Sequence, residues 1–190
     1  PTRRSSDLAY RYVIDGAADA RLRVVPHPIP QVAGVGLSHA VIAELQRLYP
    51  HTIVGIKDSQ CDLAHSLALA EAFMPPLTVH VGYEPHLPAL GKRGSTGAVS
   101  GLANFMPRVV HRLVTEFDTP RAAQDLARIE QLLGILGGYA LMPALKGIMS
   151  MLSGDRAWLR VRPPLVALSD AQYDALVAQL RAFGIDPARD

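Results

Sequence analysis

Apolar positions along this chain change their period several times, and the changes mark out its elements. Over residues 10–20 the spacing fits the end of a helix, and Leu22-Arg23-Val24-Val25 follows as a short strand. Pro26, Pro28 and Pro30 are expected to break any regular element there, since proline lacks an N–H and fixes its φ. Ser38 suits the N-cap of a helix whose face is Val41, Ile42, Leu45 and Leu48, with Pro50 marking its end. Thr52-Ile53-Val54-Gly55-Ile56 is a β-branched run of the kind buried on both faces of a sheet. A helix over 62–73 comes next, closed by Pro75-Pro76. The cycle then repeats with a strand at 77–81, a helix at 88–93 and a glycine-containing strand at 96–100. Strands alternating with helices at this spacing predict βαβ units, a parallel sheet and right-handed crossings.

Beyond residue 100 the pattern is helical, with apolar faces over 107–117, 120–136 and 142–152. The last helix is the best signed. Ser169 with Gln172 three residues later reads as a capping box, and Tyr173, Leu176, Val177, Leu180 and Phe183 share one face. Gly184 stands where a C-terminal cap belongs. The fold class is therefore α/β, with four βα units that lack closing partner strands, followed by a helical tail.

The first eight residues, Pro1-Thr2-Arg3-Arg4-Ser5-Ser6-Asp7-Leu8, fit neither pattern and match the translation of a sequencing adaptor. They are set aside as a non-native tail. Without them the net charge falls from +2 to +1, and the organisation reads as tail 1–8, α/β region 9–118 and helical region 119–190. The chain is then expected to be the C-terminal piece of a longer protein.

Composition narrows the function. Of the 190 residues 49% are hydrophobic and 19% charged, which supplies a core and excludes a disordered chain. No run approaches the roughly 20 apolar residues of a membrane span, so no membrane role is expected. The small net charge and unclustered basic residues argue against nucleic acid. The single cysteine, Cys61, can form neither an internal disulfide nor an all-cysteine metal site, and it suits a reducing cytosol.

Only three of the 19 basic residues are lysine: Lys57, Lys92 and Lys146. Lys57 ends the apolar run Ile53-Val54-Gly55-Ile56 and precedes the polar Asp58-Ser59-Gln60. That places it at the C-terminal edge of a parallel sheet, where α/β active sites are built. A lysine partly desolvated there has a lowered pKa and a free amine able to attack a carbonyl, although a strand-end lysine can equally snorkel to solvent. Lys92 and Lys146 read as solvated or helix-face charges. His80, Glu84 and His86 have no known zinc spacing; His80 reads as a strand residue and His86 as a loop residue, so no metal site is assigned. Glu84 in a βα loop could meet a substrate hydroxyl, and Val99 and Ser100 end the last strand beside the expected pocket.

Three segments decide between these readings. Gly55-Ile56-Lys57-Asp58-Ser59 resembles the Gly-(Ile/Val)-Lys-(Asp/Glu)-(Ala/Ser) strand of the dihydrodipicolinate synthase and N-acetylneuraminate lyase family of class I aldolases. Pro28-Ile29-Pro30-Gln31-Val32-Ala33-Gly34 resembles that family's Asn-(Ile/Val)-Pro-x-x-Thr-Gly. Gly82, followed by Gly94-Ser95-Thr96-Gly97-Ala98-Val99-Ser100-Gly101-Leu102-Ala103-Asn104 and Pro107, resembles its closing motif. The tail Val161-Arg162-Pro163-Pro164-Leu165 also recurs in it.

The resemblance implies a partial (β/α)8 TIM barrel, holding strands five to eight, with a C-terminal helical extension. It implies Lys57 as the Schiff-base lysine, with Gly82, Glu84, Val99 and Ser100 as substrate-binding residues. The substrates would be pyruvate or a related 2-oxo acid and an aldehyde; no cofactor is needed, and the family is commonly tetrameric, so a cytoplasmic homo-oligomer is expected. The family's Gly-Thr-Thr segment and its strand-four proton-shuttling tyrosine fall outside this chain, and Tyr12, Tyr83 and Tyr139 take no such role. The chain alone is accordingly expected to be inactive and to expose two barrel edges and an inner face of Val, Ile and Leu. Two departures stand out: the synthase's arginine is Val32 and its threonine Ala33, and the usual Tyr-Asn pair is His27-Pro28. Without a guanidinium fork at Val32, an aldehyde free of a carboxylate is favoured. The alternative function is a non-catalytic half-barrel binding or assembly module.

Overall fold

The computed structural model describes residues 3–95, 97–188 and 190, with side chains from Asp7 onward. Pro1 and Thr2 of the octapeptide, and Thr96 of the expected strand 96–100, lie outside the described residues. The chain forms two compact units, Pro1–Val99 and Ser100–Asp190.

The first unit begins with α1, Arg3–Ala17. The residues expected to form a separate tail thus run helically into the native-like segment, because nothing in Arg3–Leu8 breaks a helix that a following turn can propagate. A one-turn helix α2 (Pro30–Ala33) opens on a proline, which fits a first turn whose N–H is unpaired anyway. Helix α3 (His39–Leu48) starts where Ser38 Oγ accepts the Val41 N–H, and it buries Val41, Ile42 and Leu45. Strand β1 is Gly55–Asp58, α4 is Leu63–Phe73 with Asp62 as its N-cap, and β2 is Thr78–Val81. A 3-10 turn, Glu84–His86, leads into α5, Leu87–Gly91.

β1 and β2 pair in parallel, with Lys57 opposite His80. Single parallel bridges extend the sheet on both sides, Val24 to Ile53 and Val81 to Ala98. Of the expected strands at 22–25 and 96–100, each therefore contributes a single bridge, through Val24 and Ala98. Residues 25–29 form no regular element, as the prolines predict, although Pro30 opens α2; single backbone bonds still reach the segment. Pro26 O accepts the Lys57 N–H (2.9 Å) and Pro28 O the Ser59 N–H (3.2 Å), so each proline contributes its acceptor while its missing donor faces away. The main strand also starts and stops later than the 52–56 run, and takes in Lys57 and Asp58.

Leu45, Ile53, Ile56, Leu69, Phe73 and Leu77 form the core on the helix-covered side, joined by Ile14 from α1. The opposite face carries Gly55, Lys57, Thr78, His80, Gly97 and Val99 by strand alternation. It is mostly polar and small rather than the expected Val, Ile and Leu, because Ile56, Val79 and Val81 turn toward the helices and leave Val99 as its one large aliphatic side chain in these strands.

The second unit is helical: α6 (Pro107–Thr115), α7 (Pro120–Leu136), α8 (Leu141–Ser153) and α9 (Asp170–Phe183). Leu113, Ile129, Leu132, Ile148, Leu176 and Leu180 are fully buried. Arg112 clamps the buried Asp125 with two bonds of 2.6 and 2.9 Å, the fork geometry that makes a buried carboxylate tolerable. The capping box of α9 is present, and Gly184 ends the helix at φ +70°, where a side chain would be strained. Among the described residues no single helix is long and apolar enough to cross a membrane.

Candidate active site

Lys57 is the third residue of β1, and alternation turns it to the open face, while its neighbour Ile56 is buried in the core. On one side stands His80 of β2, in register and half-buried, its Nε2 bonded to Thr78 Oγ1 (3.2 Å). On the other side the bonds to Pro26 O and Pro28 O bracket His27 beside Lys57. A single layer of the open face therefore reads His27, Lys57, His80. The His27 ring bonds Ser59 Oγ through Nε2 at 2.8 Å.

Gly82 completes the layer above. Its N–H donates to Asp58 O (2.7 Å). A Cβ at this position would stand 2.6 Å from Asp58 O and 3.0 Å from Lys57 Cε, and would collide with Ser59 Oγ. Glycine here keeps open the space that Lys57 and Ser59 share. Gly97 does the same for the His80 ring, whose Nδ1 would lie 3.3 Å from an added Cβ.

Electrostatics follow from this placement. Burial pushes the Lys57 ammonium below the ordinary lysine range, and the Glu84 carboxylate partly restores it. Burial also lowers His27, the positive charge of Lys57 lowers it further, and Asp58 opposes both. The Cys61 thiol is raised, first by burial and then by Asp58 and Glu84, which makes it a poor nucleophile.

Asp58, next to Lys57 in sequence, points the other way and anchors the strand to α4. Ser66 Oγ donates to Asp58 Oδ2 at 2.6 Å, and the Gln60 N–H donates to Oδ1 at 3.2 Å. Ser66 has one proton, and its shortest bond commits that proton to Asp58. The His86 Nδ1, 3.2 Å from Ser66 Oγ, must then be the donor of that pair. All three side chains are buried, and burial lowers the His86 pKa. His86 is thus a packed residue of the 3-10 turn, not a loop residue. His80 and His86 serve different partners, and among the described residues no three metal-binding side chains converge.

Of the residues singled out from sequence, Lys57, Gly82 and Glu84 lie together, with Glu84 buried in the turn that follows Gly82. Val99 is half-exposed on the same face, and its N–H donates to Val81 O (3.0 Å). Ser100 belongs to the second unit, where its Oγ accepts the Ala103 N–H (3.2 Å). Sequence reading left His27, Ser59 and the Asp58–Ser66–His86 set without a role. No sequence signal marked His27, because the prolines around it argue against pairing.

Comparison with known proteins places this arrangement in a wider group. A sequence model described as the dihydrodipicolinate synthetase family matches residues 7–183. An uncharacterized DapA-like lyase of Chloroflexus aurantiacus is 29% identical over 172 residues, covering 90% of this chain and 57% of the relative. A probable 2-dehydro-3-deoxy-D-pentonate aldolase of Escherichia coli is 28% identical, covering 97% of this chain and 62% of the relative. The crystal structure of dihydrodipicolinate synthase from Agrobacterium tumefaciens superposes with a TM-score of 0.83 at 26% identity, over 97% of this chain and 62% of that one. The chain thus spans about three-fifths of the length of the proteins it matches.

Proposed function

Because this chain belongs to the dihydrodipicolinate synthetase family, we propose that it is the lysine-bearing part of a class I aldolase or lyase. In this reading Lys57 condenses with the ketone of pyruvate or a related 2-oxo acid. The protonated imine acts as an electron sink, loss of a proton gives an enamine, and the enamine adds to an aldehyde; the reverse direction cleaves the carbon–carbon bond. The lysine itself supplies the electrophile, so the chemistry needs neither a metal nor an organic cofactor.

The observation that carries the reading is the environment of Lys57: on the open face of β1, depressed by burial, with Gly82 leaving space beside its Cε. Lys92 follows α5 and Lys146 lies over the Trp158 ring at 5.4 Å, and neither has such a setting. Gly82, Glu84 and Val99 are proposed to contact the substrate; Ser100, expected with them, falls in the second unit. Val32 is 78% exposed and offers no charged fork, which favours an aldehyde without a carboxylate there. The names of the relatives, an aldolase and synthases, are consistent with this chemistry. The working enzyme is proposed to be a cytoplasmic homo-oligomer, and the 190-residue chain alone is not expected to turn over.

Borohydride reduction of the full-length protein in the presence of pyruvate tests the assignment. The reduced adduct should appear by mass spectrometry on the peptide containing Gly55-Ile56-Lys57-Asp58-Ser59, and Lys57→Ala should lose it. Label on Lys92 or Lys146 instead, or none at all, overturns the reading and leaves a binding or assembly role.

A further inference from the structure

How much of a lysine is present as free amine depends on its surroundings, and a nearby carboxylate holds the proton on. Two buried carboxylates belong to this part of the fold, and they differ in what they do. Asp58 is the next residue along β1, but it turns its side chain to α4, on the opposite side of the sheet from Lys57. Glu84, in the 3-10 turn after Gly82, is the one whose charge favours the Lys57 ammonium. The pairing of β1 with β2 runs as far as Gly82, whose N–H donates to Asp58 O at 2.7 Å. Beyond that glycine the turn is joined back to β1 through side chains. His86 Nδ1, on the last residue of the turn, meets Ser66 Oγ at 3.2 Å, and the same hydroxyl donates to Asp58 Oδ2 at 2.6 Å. One serine on α4 therefore links the residue after Lys57 to the residue two after Glu84.

We propose that Ser66 is a positioning residue for the reaction at Lys57: by joining Asp58 to His86 it fixes the turn that carries Glu84, and so fixes where that carboxylate stands relative to the lysine. The inference rests on the reading of Lys57 as the imine-forming residue. Ser66 lies on the helix side of the sheet and meets no reacting atom itself. Its hold passes along a short, stiff segment. Pro85 restricts the backbone between Glu84 and His86, and the His86 N–H donates to Tyr83 O at 3.0 Å, so fixing the His86 ring fixes the backbone from which Glu84 projects. The step from Glu84 to Lys57 is electrostatic and needs no contact, since charges in a partly dry site act on one another over several ångströms.

The charges at both ends of the link define the sign of its effect. Facing Lys57 are Glu84 from the turn, His27 from the segment on one side and His80 in register on the other. Glu84 acts on the Cys61 thiol as well as on Lys57. Acting on His86 are Asp58 from β1 and Asp62 from the start of α4, with the Tyr83 ring edge-on at 5.0 Å. Burial outweighs both carboxylates, so the His86 ring is neutral at pH 7 and brings no charge of its own to Lys57. Asp58 keeps a second bond, from the Gln60 N–H at 3.2 Å, and its backbone stays paired, so it remains turned away when Ser66 is lost. Loss of the link then acts through Glu84. The carboxylate drifts from the lysine, the ammonium loses its support, and free amine forms at lower pH.

The test uses the full-length protein, pyruvate and borohydride, with the label on Lys57 read by mass spectrometry. Trapping rates are measured across pH, and each variant's profile is scaled to its own plateau at high pH. Ser66→Ala should move the rise to lower pH, so that the scaled rate at pH 7 is roughly threefold that of the wild type, a fraction of what one neighbouring opposite charge is worth. His86→Phe keeps a ring against Tyr83 but removes the donor, and it should move the profile the same way; it carries the test if Ser66→Ala does not fold. In a Glu84→Gln protein, Ser66→Ala should add no further shift, because the carboxylate it acts through is gone. Thermal melting followed by circular dichroism shows that each variant is folded, and a loss of stability alone moves neither the profile nor this coupling. An unmoved profile in a folded variant, a move to higher pH, or an equal shift with and without Glu84 overturns the positioning role while leaving the lysine's role intact. Absence of label on Lys57 in the wild type overturns both.

Discussion

Gly82→Ala puts one methyl group into the space the site depends on, and the outcome can be worked from the local geometry. Gly82 has no positive φ, so alanine suffers no backbone strain, and the whole effect is steric. The added carbon would lie 2.6 Å from the Asp58 carbonyl oxygen, well inside van der Waals contact. That oxygen is backbone, held in β1 and accepting the Gly82 N–H, so it cannot swing away as a side-chain tip would. β1 and β2 must separate by several tenths of an ångström, and overpacking of this kind costs about 1–3 kcal/mol. Lys57 Cε, at 3.0 Å, and the Ser59 hydroxyl must move as well. Urea unfolding should show a midpoint lower by roughly 1 M for a 2 kcal/mol loss, and borohydride trapping of pyruvate on Lys57 should slow. Gly16→Ala is the internal control. It lies near the end of α1 with nothing within 4 Å of its added carbon, and helix propensity alone should stabilise by about 0.5 kcal/mol. A Gly82→Ala protein with wild-type midpoint and trapping rate refutes the packing argument.

Four further outcomes follow from the charges and hydrogen bonds around the lysine. Glu84→Gln removes the carboxylate that supports the Lys57 ammonium, so the rise of trapping rate with pH should move to lower pH; movement upward contradicts the assigned sign. The depressed Lys57 pKa means that the folded chain binds fewer protons than the unfolded chain between its folded value and the ordinary 10.5. Lys57→Met should therefore raise the unfolding midpoint at pH 7, with the advantage fading as pH climbs through that window; an equal gain at pH 7 and pH 11 counts against desolvation. Ser66→Ala strands Asp58 Oδ2 and His86 Nδ1 in a buried site and should cost about 1–3 kcal/mol by denaturant unfolding, whereas a loss under 0.5 kcal/mol shows the set to be hydrated. His86 also binds its proton less readily when folded, so its contribution favours the fold above its ordinary 6.5 and is lost as pH falls below that value.

The resemblance to a Schiff-base aldolase family was legible because it rests on covalent order. Gly-Ile-Lys-Asp-Ser, the proline-rich segment and the closing glycine motif are each read in one dimension, and the family match over residues 7–183 agrees with them. The capping signals of α3 and α9 were legible for the same reason, since Ser38 with Val41 and Ser169 with Gln172 act within one turn. The end of the main strand was not. Apolar composition stops at Ile56, but pairing continues through Lys57 and Asp58, because backbone partners on both sides hold polar residues in the ladder.

What the chain order alone determined about this protein is the family motif around Lys57, the α/β alternation and the boundaries of its capped helices. These depend on residue type and short spacing. What only the tertiary structure decided is the company Lys57 keeps. His27 lies 30 positions before it and His80 lies 23 after it, yet parallel pairing sets both beside it on one face. The proline carbonyls that hold His27 there carry no sequence signal for pairing, since proline normally argues against a strand. Likewise His86 and Ser66 meet 20 residues apart, through the packing of the turn after β2 against α4. Hydrogen bonding depends on distances of about 3 Å between atoms far apart in the chain, and only folding fixes those.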